Sequence, residues 1–395
     1  MRLQNLALPL IFVLTLILIG GGVWFYTNYL QTETPATEKT NSGFFTSLFP
    51  FGSGGVGTTA STTNTGGTQE PIPQVRQITD REVSSATFVS TGGRTFIRYI
   101  EKETGHIYET ATDSFSSTRL TNTTIPAVAE ARWVTSSTTL MRFIAENNSV
   151  ENFLGAFAST TPDQSIEGSF LNKYKRVSVY KGTIVGVLER ENGSSVELTT
   201  LKGGAPTTLL TSAYRSWVPL VNEKSSYVYS APSGGTPGSL FRIEKGTLRL
   251  IYKDAPGLMA LSNPTDEYFV LSAGSTNFVS LAVYTISTNS VTPLTKQTIA
   301  PKCAWENKKN PYILCAIPTK LPIGLYPDDW LLGKIHTSDE LWFINPTTNE
   351  SYRAADLTGY SFDIKDIEIS DDSSNALFID RNDGTLWSVE LTLPQ

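Results

Sequence analysis

The chain has 395 residues, a net charge of −6, and 30 Gly, 21 Pro, 16 Tyr, 19 Phe and 7 Trp. That length accommodates two or three average domains or one large all-β ring, and the aromatic, Gly- and Pro-rich composition favours short strands and frequent turns. The acidic balance carries no basic footprint for nucleic acid, and two histidines leave little room for general-base chemistry near neutral pH or for a zinc site.

In chain order, a short amino-terminal end (residues 1–5) precedes an uncharged run from Leu6 to Tyr26, LALPLIFVLTLILIGGGVWFY. A helix of that length rises about 30 Å, the hydrocarbon thickness of a bilayer. The run shows no amphipathic period. A cleaved signal peptide is the competing reading, with Gly20-Gly21-Gly22 as a poor cleavage site and no following Cys for lipidation. Arg2 before the run and Glu33 and Glu38 after it predict a single-pass anchor with its N-terminus in the cytoplasm and the remainder outside the cell membrane.

Residues 27–73 are rich in Ser, Thr and Gly, a composition that buries too little apolar surface to offset chain entropy; they are expected to form a flexible tether. The segment 44–51 interrupts it with Phe44, Phe45, Leu48, Phe49 and Phe51. This cluster reads as an adhesive spot in a linker, an interfacial membrane contact or a short docking motif.

From residue 74 onward a repeat takes over. Large apolar anchors stand at Phe88, Trp133, Val177, Trp217, Leu261, Trp305 and Ile369, spaced by 45, 44, 40, 44, 44 and 64 residues. A period in the forties with about four short strands per unit is the sequence mark of propeller blades. Continuous apolar runs such as TFIRYI (95–100), TIVGVL (183–188) and NALFID (375–380) follow the anchors, as expected of central strands covered on both faces. Several units close on an apolar residue plus Thr: Leu120-Thr121, Leu210-Thr211 and Leu294-Thr295. The last unit lacks this strand, while an orphan copy, Ile78-Thr79, precedes the first. The expectation is therefore a seven-bladed, all-β propeller of four-stranded antiparallel blades over residues 74–395. Strand 74–79 would complete blade seven by pairing with 385–391, because an open ring leaves unpaired edges.

The segments Ile97-Arg98-Tyr99, Thr104-Gly105-His106-Ile107-Tyr108 and Asp383-Gly384-Thr385-Leu386-Trp387 resemble those of TolB-type and WD40-like β-propellers. The arrangement of anchor, tether and propeller is similar to that of membrane-anchored bacterial envelope proteins. The Gly-His and Trp-Asp pairs of WD40 repeats are absent apart from Gly105-His106, so the likeness to that subclass is loose.

The only cysteines, Cys303 and Cys315, would face each other across a hairpin that also opposes Trp305 and Ile313. Opposed residues at a non-hydrogen-bonded position lie near disulfide distance, so the pair reads either as a disulfide or as two buried thiols. The long 64-residue step places about 20 extra residues between the second and third strands of blade six, in PTKLPIGLYPDDWLLGKIHTSD (318–339). The resemblance implies that such connections look toward the ligand face. Tyr326, Asp328, Asp329 and Trp330 would then offer aromatic surface and carboxylates to a peptide, glycan or cation; alternatively Trp330 and Leu331-Leu332 fold back as a plug. Gly234-Gly235 reads as hairpin punctuation, and Asp380–Gly384 as a β-turn lacking calcium-loop spacing.

No nucleophile elbow, zinc-binding helix or phosphate loop occurs, so no catalytic residue, cofactor or metal ligand is assigned. The expected function is a binding or scaffolding module at the cell envelope with a protein, peptide or glycan partner. An envelope hydrolase or lyase using acidic groups of the central channel is the alternative, as is an accessory subunit of a secretion or surface-appendage machine. Oligomeric state leaves no mark in the sequence.

Overall fold

The computed structural model describes residues 72–392, apart from 146–148, 159–160, 202–203 and 309–310. The apolar run Leu6–Tyr26 and the cluster from Phe44 to Phe51 therefore lie outside the described residues, among which no helix is long and apolar enough to cross a membrane.

The described residues form seven four-stranded antiparallel sheets. Blade 1 runs from Val83 to Arg119, blade 2 from Val128 to Phe170, and blade 3 from Arg176 to Ser212. Blade 4 runs from Trp217 to Pro256, blade 5 from Met259 to Pro293, and blade 6 from Cys303 to Arg353. Blade 7 takes three strands from Ile364 to Glu390 and its fourth, Val75–Thr79, from the start of the ring. Each of the seven anchors sits on the first strand of its blade, and together these anchors fill the spaces between sheets. The 40-residue spacing is a short blade 3, and the 64-residue spacing is the insertion in blade 6.

The closing strand pairs Val75 with Val389, Arg76 with Ser388, and Gln77 with Trp387. Arg76 extends the closure to the next blade. Its buried guanidinium donates to the carbonyls of Ser114 (2.5 Å) and Ala111 (3.5 Å) in blade 1. Burial lowers the pKa of Arg76, and Asp113 partly offsets that.

The recurrent Leu-Thr ending has a packing explanation. Leu120, Leu210 and Leu294 are buried at the outer strand of their blades and contribute to three separate inter-blade clusters. Ile78 packs against the cluster between blades 7 and 1. The Thr serves locally at one copy, where Thr121 Oγ1 accepts the Ile107 N–H at 2.9 Å.

In this up-and-down order, turns between first and second and between third and fourth strands share one face. The chain enters the ring there, at the start of a fourth strand, and we term it the N-terminal face. Turns between second and third strands lie opposite, on what we term the insertion face.

Polar groups of the inner strands tie the ring together. Arg132 of blade 2 pairs with Glu130 (3.1 Å) and reaches Asp366 of blade 7 (3.4 Å), passing over blade 1, which places the pair in the central channel. A β-bulge between Lys365 and Glu368, with Asp366 at φ +50°, interrupts the first strand of blade 7 at this point. Glu368 Oε1 accepts from the Thr87 hydroxyl (2.6 Å) and the Phe88 N–H (2.8 Å), joining blade 7 to blade 1. Burial raises the Glu368 carboxyl to about 7, against the pull of those two bonds and with help from Asp371. The folded-state value exceeds the ordinary 4.5, so the folded ring binds the proton more tightly than the unfolded chain. This group's stabilising contribution is complete below pH 4.5, declines as pH rises toward 7, and is absent above it. Glu368→Gln is expected to raise ring stability at pH 8 by roughly 1–3 kcal/mol relative to wild type, with the difference vanishing near pH 4.5, as read by denaturant titration at both values.

Candidate functional site: the braced insertion of blade 6

The insertion leaves the second strand of blade 6 at Pro318 and returns at Asp339. Three sets of contacts hold it against the ring.

The first is backbone. Asn277, in the corresponding turn of blade 5, donates its N–H to the Gly324 carbonyl at 2.7 Å, and its Oδ1 accepts the Gly324 N–H at 2.9 Å. Tyr326 N–H reaches the Ser275 carbonyl at 3.1 Å. Tyr326 lies so close to blades 4 and 5 that a Cβ on Gly234 would stand 2.3 Å from its carbonyl oxygen, and one on Gly274 2.7 Å. Only glycine fits there. Gly234 is thus a seat for the insertion as well as a turn residue, which sequence reading missed because the contact spans some ninety residues.

The second set comprises the insertion's own carboxylates. Asp328 Oδ2 accepts the Gly234 N–H at 2.6 Å. Asp329 Oδ2 accepts the Leu325 N–H at 2.8 Å, and Asp329 Oδ1 pairs with Lys334 at 3.1 Å. The Leu325 and Lys334 bonds hold the Asp329 carboxyl below the usual carboxylate range.

The third set is a charge knot under Trp330. This indole, on a single helical turn Asp328–Leu331, is buried and donates through Nε1 to Asp363 Oδ1 at 3.0 Å. The fully buried Lys302 places its three donors on Asp339 Oδ2 (2.5 Å), Asp363 Oδ1 (2.6 Å) and Thr337 Oγ1 (2.7 Å). Arg381, in the second turn of blade 7, stacks 4.5 Å from the Trp330 ring, donates to the Trp330 carbonyl and reaches Asp363 Oδ2 at 3.4 Å. His336 Nδ1 stands 3.2 Å from the same oxygen. Burial pushes Asp363 up, but Lys302, Trp330 and Thr337 outweigh it and the carboxyl lies below its ordinary range. At Asp339 burial prevails and the carboxyl is raised, consistent with an Oδ1 that has no partner. Lys302 is saturated with acceptors, which suits a structural cation better than a nucleophile.

Of the residues the sequence offered to a ligand, Asp328 and Trp330 bond to the ring, through Gly234 and Asp363, while Asp329 and the Tyr326 hydroxyl bond within the insertion. The plug reading fits Trp330 and fails for its neighbours. Leu331 and Leu332 are 45% and 68% exposed, Ile323 is 85% exposed, and Phe278 on the supporting blade 5 turn is 54% exposed. These outward apolar side chains were hidden from sequence reading because their direction depends on which side Trp330 takes. The knot residues were equally hidden, since Lys302, Asp363 and Arg381 come from three distant positions without a motif. At the base of the insertion, Cys303 and Cys315 are opposed and joined as a disulfide, with Trp305 opposite Ile313.

In the channel, the carboxylates on which an enzymatic reading would rest, Glu130, Asp366 and Glu368, are engaged by Arg132, Thr87 and the Phe88 amide.

No family model matches the sequence, and no curated protein matches it. Among solved structures, the chain is similar to a puromycin-hydrolyzing peptidase from Mycobacterium tuberculosis, with 11% identity and a TM-score of 0.47 over 75% of this chain and 50% of the other. It is also similar to the Pan2 WD40 domain of Neurospora crassa, with 10% identity and a TM-score of 0.48 over 81% of this chain and 97% of the domain. The chain spans half the length of the peptidase it matches. At these identities the likeness concerns the fold alone.

Lys302→Met is expected to cost about 3–5 kcal/mol in denaturant unfolding, because it leaves buried Asp339 without its cation and Asp363 with Arg381 alone at 3.4 Å. The same substitution is expected to loosen the insertion, read as faster amide exchange across 324–335.

Proposed function

We propose that this chain is a membrane-anchored, extracytoplasmic binding module whose ring presents the apolar arm of blade 6 to a protein at the cell envelope. The observation that carries this reading is the contrast within residues 318–339: Asp328, Asp329 and Trp330 are spent on bracing, while Ile323, Leu331 and Leu332 are left outward, as is Phe278 next to the blade 5 turn that Gly324 bonds. A single exposed aliphatic residue is ordinary on a protein surface, whereas several carried on one braced segment offer binding surface with little ordering entropy to lose.

The apolar run Leu6–Tyr26 supports the anchor, and the Cys303–Cys315 disulfide suits an oxidising, extracytoplasmic compartment. The Ser/Thr/Gly-rich segment between anchor and ring would set reach. The arm serves equally a free-standing module or an accessory subunit of a larger envelope machine.

The test is site-specific photocrosslinking from position 331, on the arm, in the full-length protein in its native membrane. A discrete adduct is expected, and Ile323→Ser with Leu332→Ser should reduce it at least tenfold, about 1.4 kcal/mol, without lowering the melting temperature. Equal crosslinking by the double variant would contradict the reading.

A further inference from the structure

A second, unrelated site lies on the N-terminal face. Blades 3 and 4 diverge there into an open groove of about 980 Å³, at the upper end of the range of ligand pockets. Its aliphatic lining comes from Leu198 and Leu209 of blade 3 and Val221 and Ile243 of blade 4. Among the described residues no aromatic ring lines it, so they provide no stacking platform of the kind a nucleobase would use. Threonine and serine hydroxyls alternate with the aliphatic groups.

The charges on the rim are unevenly satisfied. Glu244 is held by Arg249 at 2.8 Å and approached by Arg242 at 3.6 Å. Lys224 and Lys245 are exposed and have no ion-pair partner among the described residues, with Glu223 the one rim carboxylate likewise free of a cation. The groove therefore carries a local cationic surplus on a chain whose net charge is −6.

The turn that carries Lys224 is preorganised. Buried Asn222 accepts the backbone N–H groups of Lys224 (3.1 Å) and Ser225 (2.9 Å) and donates to Asp266 of blade 5 at 2.7 Å. Asp266 also accepts from the Ser225 hydroxyl (2.8 Å) and the Tyr227 hydroxyl (2.6 Å). Lys245 occupies a tight turn with Gly246, both at positive φ, between the third and fourth strands of the same blade, so both lysines stand on the blade 4 wall of the groove. A wall of this kind loses little freedom when a ligand binds.

We infer that this groove binds an extended segment of a partner protein that carries aliphatic side chains with an adjacent carboxylate. The aliphatic residues would lie over Leu198, Leu209, Val221 and Ile243, and the carboxylate would pair with Lys224 or Lys245 on the turns of blade 4. This site stands apart from the arm of blade 6 and does not depend on the function proposed for it.

The experiment is selection of a displayed library of short linear peptides on the full-length chain in detergent micelles. Synthetic labelled peptides from the selection are then titrated by fluorescence anisotropy. Enriched sequences should combine Asp or Glu with aliphatic residues, and their affinity should fall as salt is raised. Lys224→Glu with Lys245→Glu should weaken them at least tenfold while leaving the melting temperature unchanged, and should favour the same peptides with lysine in place of the acidic residue. Ile323→Ser with Leu332→Ser should leave peptide binding intact, so that failure here and failure of the arm are distinguishable. Enrichment without carboxylates, no enrichment at all, or binding indifferent to the lysine reversals would overturn the inference.

Discussion

The structure depends on one antiparallel pairing: Val75–Thr79 against Leu386–Glu390. Without it, blade 7 would have three strands and an unpaired edge, and the cluster joining blades 7 and 1 would lose Ile78. A repeat ring is held by contacts between neighbours alone, so its weakest junction governs the whole. Here that junction is strengthened three times over: by the strand itself, by the Arg76 side chain reaching blade 1, and by Glu368 bonded to Thr87 and Phe88 on the inner strands. Two of these elements carry an energetic penalty of their own. Arg76 is desolvated, and burial raises the Glu368 carboxyl to about 7.

A closed ring makes the insertion of blade 6 possible. A long excursion of chain costs entropy and must be fixed by contacts outside its own blade. This one takes support from turns of blades 4 and 5 on one side and from Arg381 of blade 7 on the other. The Lys302 knot beneath Trp330 is buried, and buried ion pairs gain little net stability over well-packed apolar groups. We take its role as geometric: with Lys302, Asp363, Thr337 and Trp330 bonded to one another, the insertion has a single seating. That seating turns the apolar arm outward.

How much of this was legible in the sequence follows from how local each determinant is. Blade number, strand order and the closing strand were readable because each blade repeats a local pattern of an anchor, an apolar run and a Leu-Thr ending. The hairpin register at Cys303 and Cys315 was readable because both partners lie within one turn's reach. The limits of the insertion were readable as a departure from the period. Its interior was not. Whether Trp330 faces a ligand or the ring depends on Lys302, Asp363 and Arg381, whose approach is a property of the closed ring and leaves no spacing signal. The same holds for Gly234, whose importance depends on Tyr326 lying against it, and for the lysines of the groove, which are ordinary turn residues of blade 4 until blade 3 supplies the wall opposite them.

The account as a whole places a rigid ring behind two exposed surfaces on opposite faces, an apolar arm and a cationic groove, and both require the ring to open only as a unit. Native-state hydrogen exchange followed by mass spectrometry tests this most directly. The amides of 75–79 and 386–390 are predicted to exchange on the same slow timescale as the central strand of blade 4, Ser226–Ser230, under conditions where exchange reports global opening. Rapid exchange of 75–79 while blade 4 stays protected would show a ring that opens at its seam, and would contradict the account.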